Sequence, residues 1–105
     1  MAELIAENDD IAVFFSPGRG DRCMFVMGHM LNHTRSQYWA QIPIEALQLP
    51  CVGVAAKRPH WYPPSVMAGA SPLIKKTIAG FSRRIGYGYS MGAFGILAYG
   101  REIGL

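Results

Sequence analysis

The chain is poor in charge, cysteine and histidine, and each shortage narrows what it can be. Only 16% of its 105 residues are charged, while 50% are hydrophobic. That balance argues against a disordered segment, which lacks the apolar surface to offset its ordering entropy. No apolar run approaches the roughly 18 residues that a membrane span requires. The first ten residues hold four acids and no Lys or Arg, the reverse of a secretory signal peptide. The expected location is therefore cytoplasmic, with no membrane partner. A disulfide between the two cysteines, Cys23 and Cys51, has no secretory context to maintain it. Both sit in apolar runs, where a reduced thiol behaves as a small hydrophobe.

Basic residues outnumber acids by 10 to 7, but they are scattered along the chain instead of gathered on one stripe. Nucleic acid is not an expected partner on that pattern. No Lys-Ser or Lys-Thr pair follows a glycine-rich stretch, so a P-loop is missing. The glycines Gly86, Gly88 and Gly92 resemble a dinucleotide-binding turn with one residue too many, and no acid follows at the required distance. His29 and His33 share the i, i+4 spacing of a helical metal pair. Neither Cys23 nor His60 completes a ligand set at conventional spacing, so neither a metal nor a cofactor is expected. The triplet Arg19-Gly20-Asp21 reads as a turn.

What is present is a single domain without repeats or linkers. The acidic residues 1–10 read as an N-terminal extension. Residues 11–15 (IAVFF) and 23–27 (CMFVM) flank a glycine-bearing turn, which predicts a hairpin over 11–28. Residues 37–49 fit a helix loosely, with Pro43 breaking it or lying in its first turn. The unbroken apolar run 51–56 reads as a strand buried on both faces. Three prolines keep 58–64 out of a helix. Ser71-Pro72 reads as an N-cap followed by proline at the first helical position, with Leu73, Ile74, Ile78 and Phe81 on one helical face. A short strand over 84–88 and a helix over 91–103 complete the order hairpin, helix, strand, helix, strand, helix. The predicted class is α/β, with a short, mostly parallel sheet flanked by helices.

The pentapeptide Gly88-Tyr89-Ser90-Met91-Gly92 is a G-x-S-x-G. In a nucleophile elbow, a serine occupies the sharp turn between a strand and the following helix. Glycines two before and two after let the two elements approach without Cβ clashes. The helix N-terminus adds partial positive charge where an oxyanion forms. The pattern alone is weak in a chain with 12 glycines; a strand ending at Gly88 and a helix beginning near Met91 supply the context.

From about residue 23 to residue 103 the chain resembles the N-terminal half of the α/β-hydrolase superfamily, through its nucleophile elbow. The resemblance rests on the strand ending in Gly28-His29, the helix and strand to Ala56, the Arg-Pro-His-Trp-Tyr-Pro loop, and the strand, elbow and helix around Ser90. It implies a truncated three-layer sandwich in which Ser90 is an acyl-transfer nucleophile. The backbone N–H of Met91 would be one oxyanion donor, and His29 or Met30 the other. His60, Trp61, Tyr62 and Tyr89 would line the pocket for a small acyl substrate, an ester, amide or thioester.

A serine needs a base, and the base needs a carboxylate to orient it. In this family both follow the serine in the chain. After Ser90 there is one acid, Glu102, and no histidine. Glu102 falls more than two turns into the last helix and so points away from the serine. The expectation is a catalytically incomplete fragment whose unpaired sheet edge favours self-association. Two alternatives remain open: a non-catalytic module that binds a small ligand or partner at the same edge, and a minimal enzyme whose base is His60 or comes from a second chain.

Overall fold

The computed structural model describes residues 2–28 and 37–105. Strands β1 (Glu3–Glu7), β2 (Ile11–Ser16) and β3 (Arg22–Met27) come first. They are followed by helix α1 (Gln41–Ala46), strand β4 (Cys51–Ala56), helices α2 (Pro64–Met67) and α3 (Ser71–Ile78), strand β5 (Arg83–Gly88) and helix α4 (Met91–Ile103). The class is α/β, as expected. The sheet is five-stranded in the order β1-β2-β4-β3-β5.

It is mixed, not mostly parallel. β1 pairs antiparallel with β2, and β2 with β4, while β3 runs parallel to both β4 and β5. The hairpin predicted over 11–28 does not form, because β4 lies between β2 and β3. All six residues of β4 are buried, and such a strand needs a neighbour on each side as well as cover on both faces. The turn after β2 instead bridges the start of β4: Arg19 N–H donates to Gln48 O at 2.8 Å and Met24 N–H to Pro50 O at 2.8 Å. The acidic N-terminus is a further correction. Residues 3–7 form an edge strand whose Glu3 and Glu7 stay exposed while Ile5 and Ala6 pack onto the core.

The helices cover both faces of the sheet. Ile44 of α1 packs with Phe14, Val26, Tyr38 and Cys51 on one side. The side chains of α2, α3 and α4, including Met67, Ile74, Met91 and Ile103, join Val13, Phe25 and Met27 on the other. Alternate residues of a strand point to opposite faces. Met24 is the register partner of Cys51, so Cys23 lies on the opposite face from Cys51, and both cysteines are free and buried.

Pro43 lies within the first turn of α1. Ser71 does not cap α3: Ala70 holds the cap position, and the Ser71 hydroxyl donates to Met67 O at 3.1 Å. That carbonyl also accepts the Ala70 N–H at 3.0 Å, so the hydroxyl bonds back onto the preceding turn, a local alternative to capping. α4 stops at Gly104, in the left-handed region with φ 99°. There Leu105 N–H reaches Gly100 O and Gly104 N–H reaches Arg101 O, a Schellman closure. Among the described residues no helix is long and apolar enough to cross a membrane.

The chain leaves β3 for β4 on one side and returns to β5 on the other. The carboxyl end of β3 is therefore the point where the winding reverses, the place where an open α/β sheet forms a crevice. Gly28 follows β3 there and Ser90 follows β5.

Candidate active site

At the end of β5 the chain turns through Tyr89, Ser90, Met91 and Gly92, closed by a hydrogen bond from Gly92 N–H to Tyr89 O at 3.0 Å. Ser90 has φ 57° and ψ −122°, the angles of the first central residue of a type II′ turn, a position that glycine dominates. A serine held there carries steric strain of about 1–3 kcal/mol. The next bond, Phe94 N–H to Ser90 O at 3.1 Å, starts α4. Ser90 is exposed, while Met91 beside it is fully buried.

The two flanking glycines are required by space. A Cβ on Gly88 would lie 2.7 Å from both C and O of Gly92. A Cβ on Gly92 would collide with the Met27 carbonyl oxygen and approach Gly28 O at 3.0 Å. Helix α4 therefore rests directly on the backbone at the end of β3, which brings its N-terminus to the crevice. The N–H groups of a first helical turn have no partner within the helix and carry about half a positive charge together. That of Met91 belongs to this set.

The loop over 57–63 closes the other side. The Tyr62 hydroxyl donates to Gly28 O at 2.9 Å and reaches Val54 O at 3.4 Å. It thus ties the ends of β3 and β4 together, and burial pushes its phenol well above the usual range. Tyr99 of α4 donates through its hydroxyl to Tyr62 O at 2.5 Å, and Trp61 N–H meets the Met91 sulfur at 3.1 Å. Trp61 and Tyr62 both have positive φ, 57° and 53°. That turn sends Tyr62 into the core, where it is 0% exposed, so it does not line an open pocket.

His60 is pinned in the same loop. Its Nδ1 accepts the Tyr62 N–H at 2.9 Å, which leaves the proton on Nε2 to donate to Asp10 O at 2.9 Å. Arg58 pairs with Asp10. With both ring nitrogens engaged, His60 serves this loop and is not presented as a base to Ser90. Trp61 lies edge-on to Phe94 with centroids 5.8 Å apart. Tyr89 is 65% exposed and stacks with Trp39 at 6.5 Å, while Trp39 also stacks on Tyr87 at 5.0 Å. Three aromatic pairs thus belong to the segments beside Ser90.

Gly88, Ser90, Met91 and Gly92 lie together in the turn from β5 into α4. His29 and Met30, the other proposed oxyanion donors, lie outside the described residues, as does His33. Glu102 is exposed at the far end of α4, beside Ser71 and Lys75. No cluster of His, Cys, Asp or Glu suited to a metal occurs among the described residues. A cavity of about 150 Å³ lined by Ser16, Arg19, Glu45 and Gln48 sits at the opposite end of the sheet.

Sequence reasoning missed Trp39 and Tyr99. The alternation of Tyr87 and Tyr89 on one strand face was the available signal for a stacking partner such as Trp39. Nothing in the spacing of α4 marks Tyr99 as a hydrogen-bond donor to a loop. No protein-family model, curated protein or solved structure matches this chain.

Proposed function

We propose that this chain is the nucleophile-bearing part of an α/β-hydrolase-like serine acyl hydrolase or acyltransferase. Ser90 is the nucleophile, the Met91 N–H is an oxyanion donor, and a small ester, amide or thioester is the substrate class. The observation that carries the reading is the strained, exposed Ser90 at φ 57° and ψ −122°, set in a strand-to-helix turn. A backbone outlier of this kind is retained where its geometry is used. The hydroxyl stands at the positive end of a helix and at the crevice where the sheet's winding reverses.

The chain also lacks a working triad among its described residues. His60 is committed to its loop and Glu102 lies at the far end of α4. Acid and base must then come from outside these residues, and the isolated chain is a weak catalyst. Sites stripped of triad members still keep about 10³-fold acceleration over water from the oxyanion hole and binding.

Labelling with a fluorophosphonate, followed by mass spectrometry of the peptides, tests this. The expected result is slow modification selective for Ser90 over the exposed Ser65 and Ser82, absent in Ser90→Ala. Labelling without preference among these serines overturns the nucleophile role and leaves a non-catalytic binding module.

A further inference from the structure

The two edges of the sheet are built differently. β1 has an irregular register between Leu4 and Ala6 and presents Glu3 to solvent, while Glu7 pairs with Lys57 at 2.6 Å; a bulge and a charge both deter strand addition. β5 has neither protection along its middle. It pairs with β3 in continuous register from Arg83 to Gly88, and its outer side carries no strand among the described residues. Arg83 N–H donates inward to Asp21 O at 3.2 Å. By alternation, the N–H and C=O groups of Arg84, Gly86 and Gly88 face outward. Ile85 and Tyr87 are 45% and 50% exposed.

We propose that the β5 edge binds a second copy of this chain, antiparallel, about a two-fold axis that places Gly86 opposite the partner's Gly86. In this register the outward groups of Arg84, Gly86 and Gly88 meet those of the partner's Gly88, Gly86 and Arg84. Ile85 falls beside the partner's Tyr87, and Tyr87 beside the partner's Ile85. Each is a β-branched–aromatic cross-strand pair on one face.

On the other face Gly86 has no side chain and lies beneath Ile96 and Leu105; a Cβ there would come within 2.8 Å of both. Leu105, 39% exposed, is carried to the axis to meet its symmetry mate.

Charge selects the direction. Arg83 and Arg84 occupy one end of β5, so a parallel pairing would set four guanidinium groups side by side. The antiparallel pairing sends them to opposite ends, with Arg84 opposite the partner's Gly88. A two-fold contact of this kind is closed, so assembly stops at the dimer. The inference rests on the sheet edge and is independent of the role of Ser90.

Sedimentation equilibrium and amide hydrogen exchange, each over a wide concentration range, test it. The expected result is a monomer–dimer equilibrium with no larger species. Exchange at Arg84, Gly86 and Gly88 slows as the dimer fills, while exchange at Leu4 and Ala6 does not change. Ile85→Lys loses the two cross-strand pairs and weakens the dimer on the order of tenfold.

A monomer at every concentration overturns the proposal, as does a dimer that leaves the β5 amides unprotected. Growth beyond the dimer with protection on β1 shows head-to-tail pairing of the acidic edge with β5, which also overturns it. If Ile85→Lys fails to fold, the exchange pattern of the unaltered chain decides alone.

Discussion

The hydroxyl of Tyr62 donates to the carbonyl oxygen of Gly28 across 2.9 Å, inside a core from which water is excluded. This bond joins the loop after β4 to the point where β3 ends. Tyr62→Phe removes the donor and leaves a buried carbonyl without it. Such a loss costs about 1–2 kcal/mol, which for a domain of this size lowers Tm by about 4–16 °C. Thermal unfolding followed by circular dichroism measures it. A Tm within a degree of the unaltered chain would show that the bond contributes nothing.

Gly92 is held against the Met27 carbonyl, and Gly88 against Gly92 and Ala93. In both cases the obstacle to a Cβ is backbone, which cannot rotate away as a side chain would. Gly92→Ala must therefore lift the N-terminus of α4 off β3, at a cost on the order of 3 kcal/mol. Gly69→Ala is the control, since nothing lies within 4 Å of a Cβ at that position. Denaturant titration of the two variants should separate them by that amount. Equal midpoints would show that helix and strand are not in contact at the elbow.

The strand at 51–56, the final helix and the elbow between β5 and α4 were readable because each follows from a local rule: an unbroken apolar run, helical spacing, a glycine pair around a serine. The order of the strands was not readable. An apolar run reports burial on both faces but not which neighbours supply it, so the turn at residues 17–21 suggested a hairpin that β4 displaces. β1 escaped notice because Glu3 and Glu7 made the segment look like a solvated extension, although an edge strand tolerates acids on its open side. The loop around His60 was misread for another reason. Trp61 and Tyr62 adopt positive φ, which no residue preference announces for aromatics. That reversal turns Tyr62 from an expected pocket wall into a core residue.

At Ser90 the strain has a sign that can be measured. Glycine accepts φ 57° and ψ −122° without a Cβ penalty, whereas alanine keeps the penalty and loses only the hydroxyl. Ser90→Gly should therefore be more stable than Ser90→Ala by about 1 kcal/mol, part of the relief being offset by the larger unfolded-state entropy of glycine. Both variants should lose fluorophosphonate labelling. If Ser90→Gly proves less stable than Ser90→Ala, the backbone at this turn is not strained.

The two buried thiols begin the loss of stability at alkaline pH. Burial pushes Cys23 up to about 11 and Cys51 up to about 12, from an ordinary value of 9.0. Desolvation is the larger cause in each, and it disfavours the thiolate in the folded state only. Below pH 9 neither state loses these protons, so the contribution to stability is constant. Above pH 9 the unfolded chain ionises its cysteines first and therefore binds fewer protons than the folded one, so stability falls as pH rises. The thiols' share of the decline runs from about pH 9 to their folded values near 11 and 12; the phenols of Tyr38, Tyr62 and Tyr99, which burial also raises from 10.0, add to it above pH 10. Cys51→Ala, which removes the more strongly shifted group, should flatten the slope between pH 9 and 11, even though the cavity it leaves lowers stability at every pH. Urea midpoints measured at intervals across this range test the sign. At pH 8 the folded chain should also resist a thiol-specific disulfide reagent and react fully once unfolded. Rapid reaction of both thiols in the folded state would place Cys23 and Cys51 outside the core.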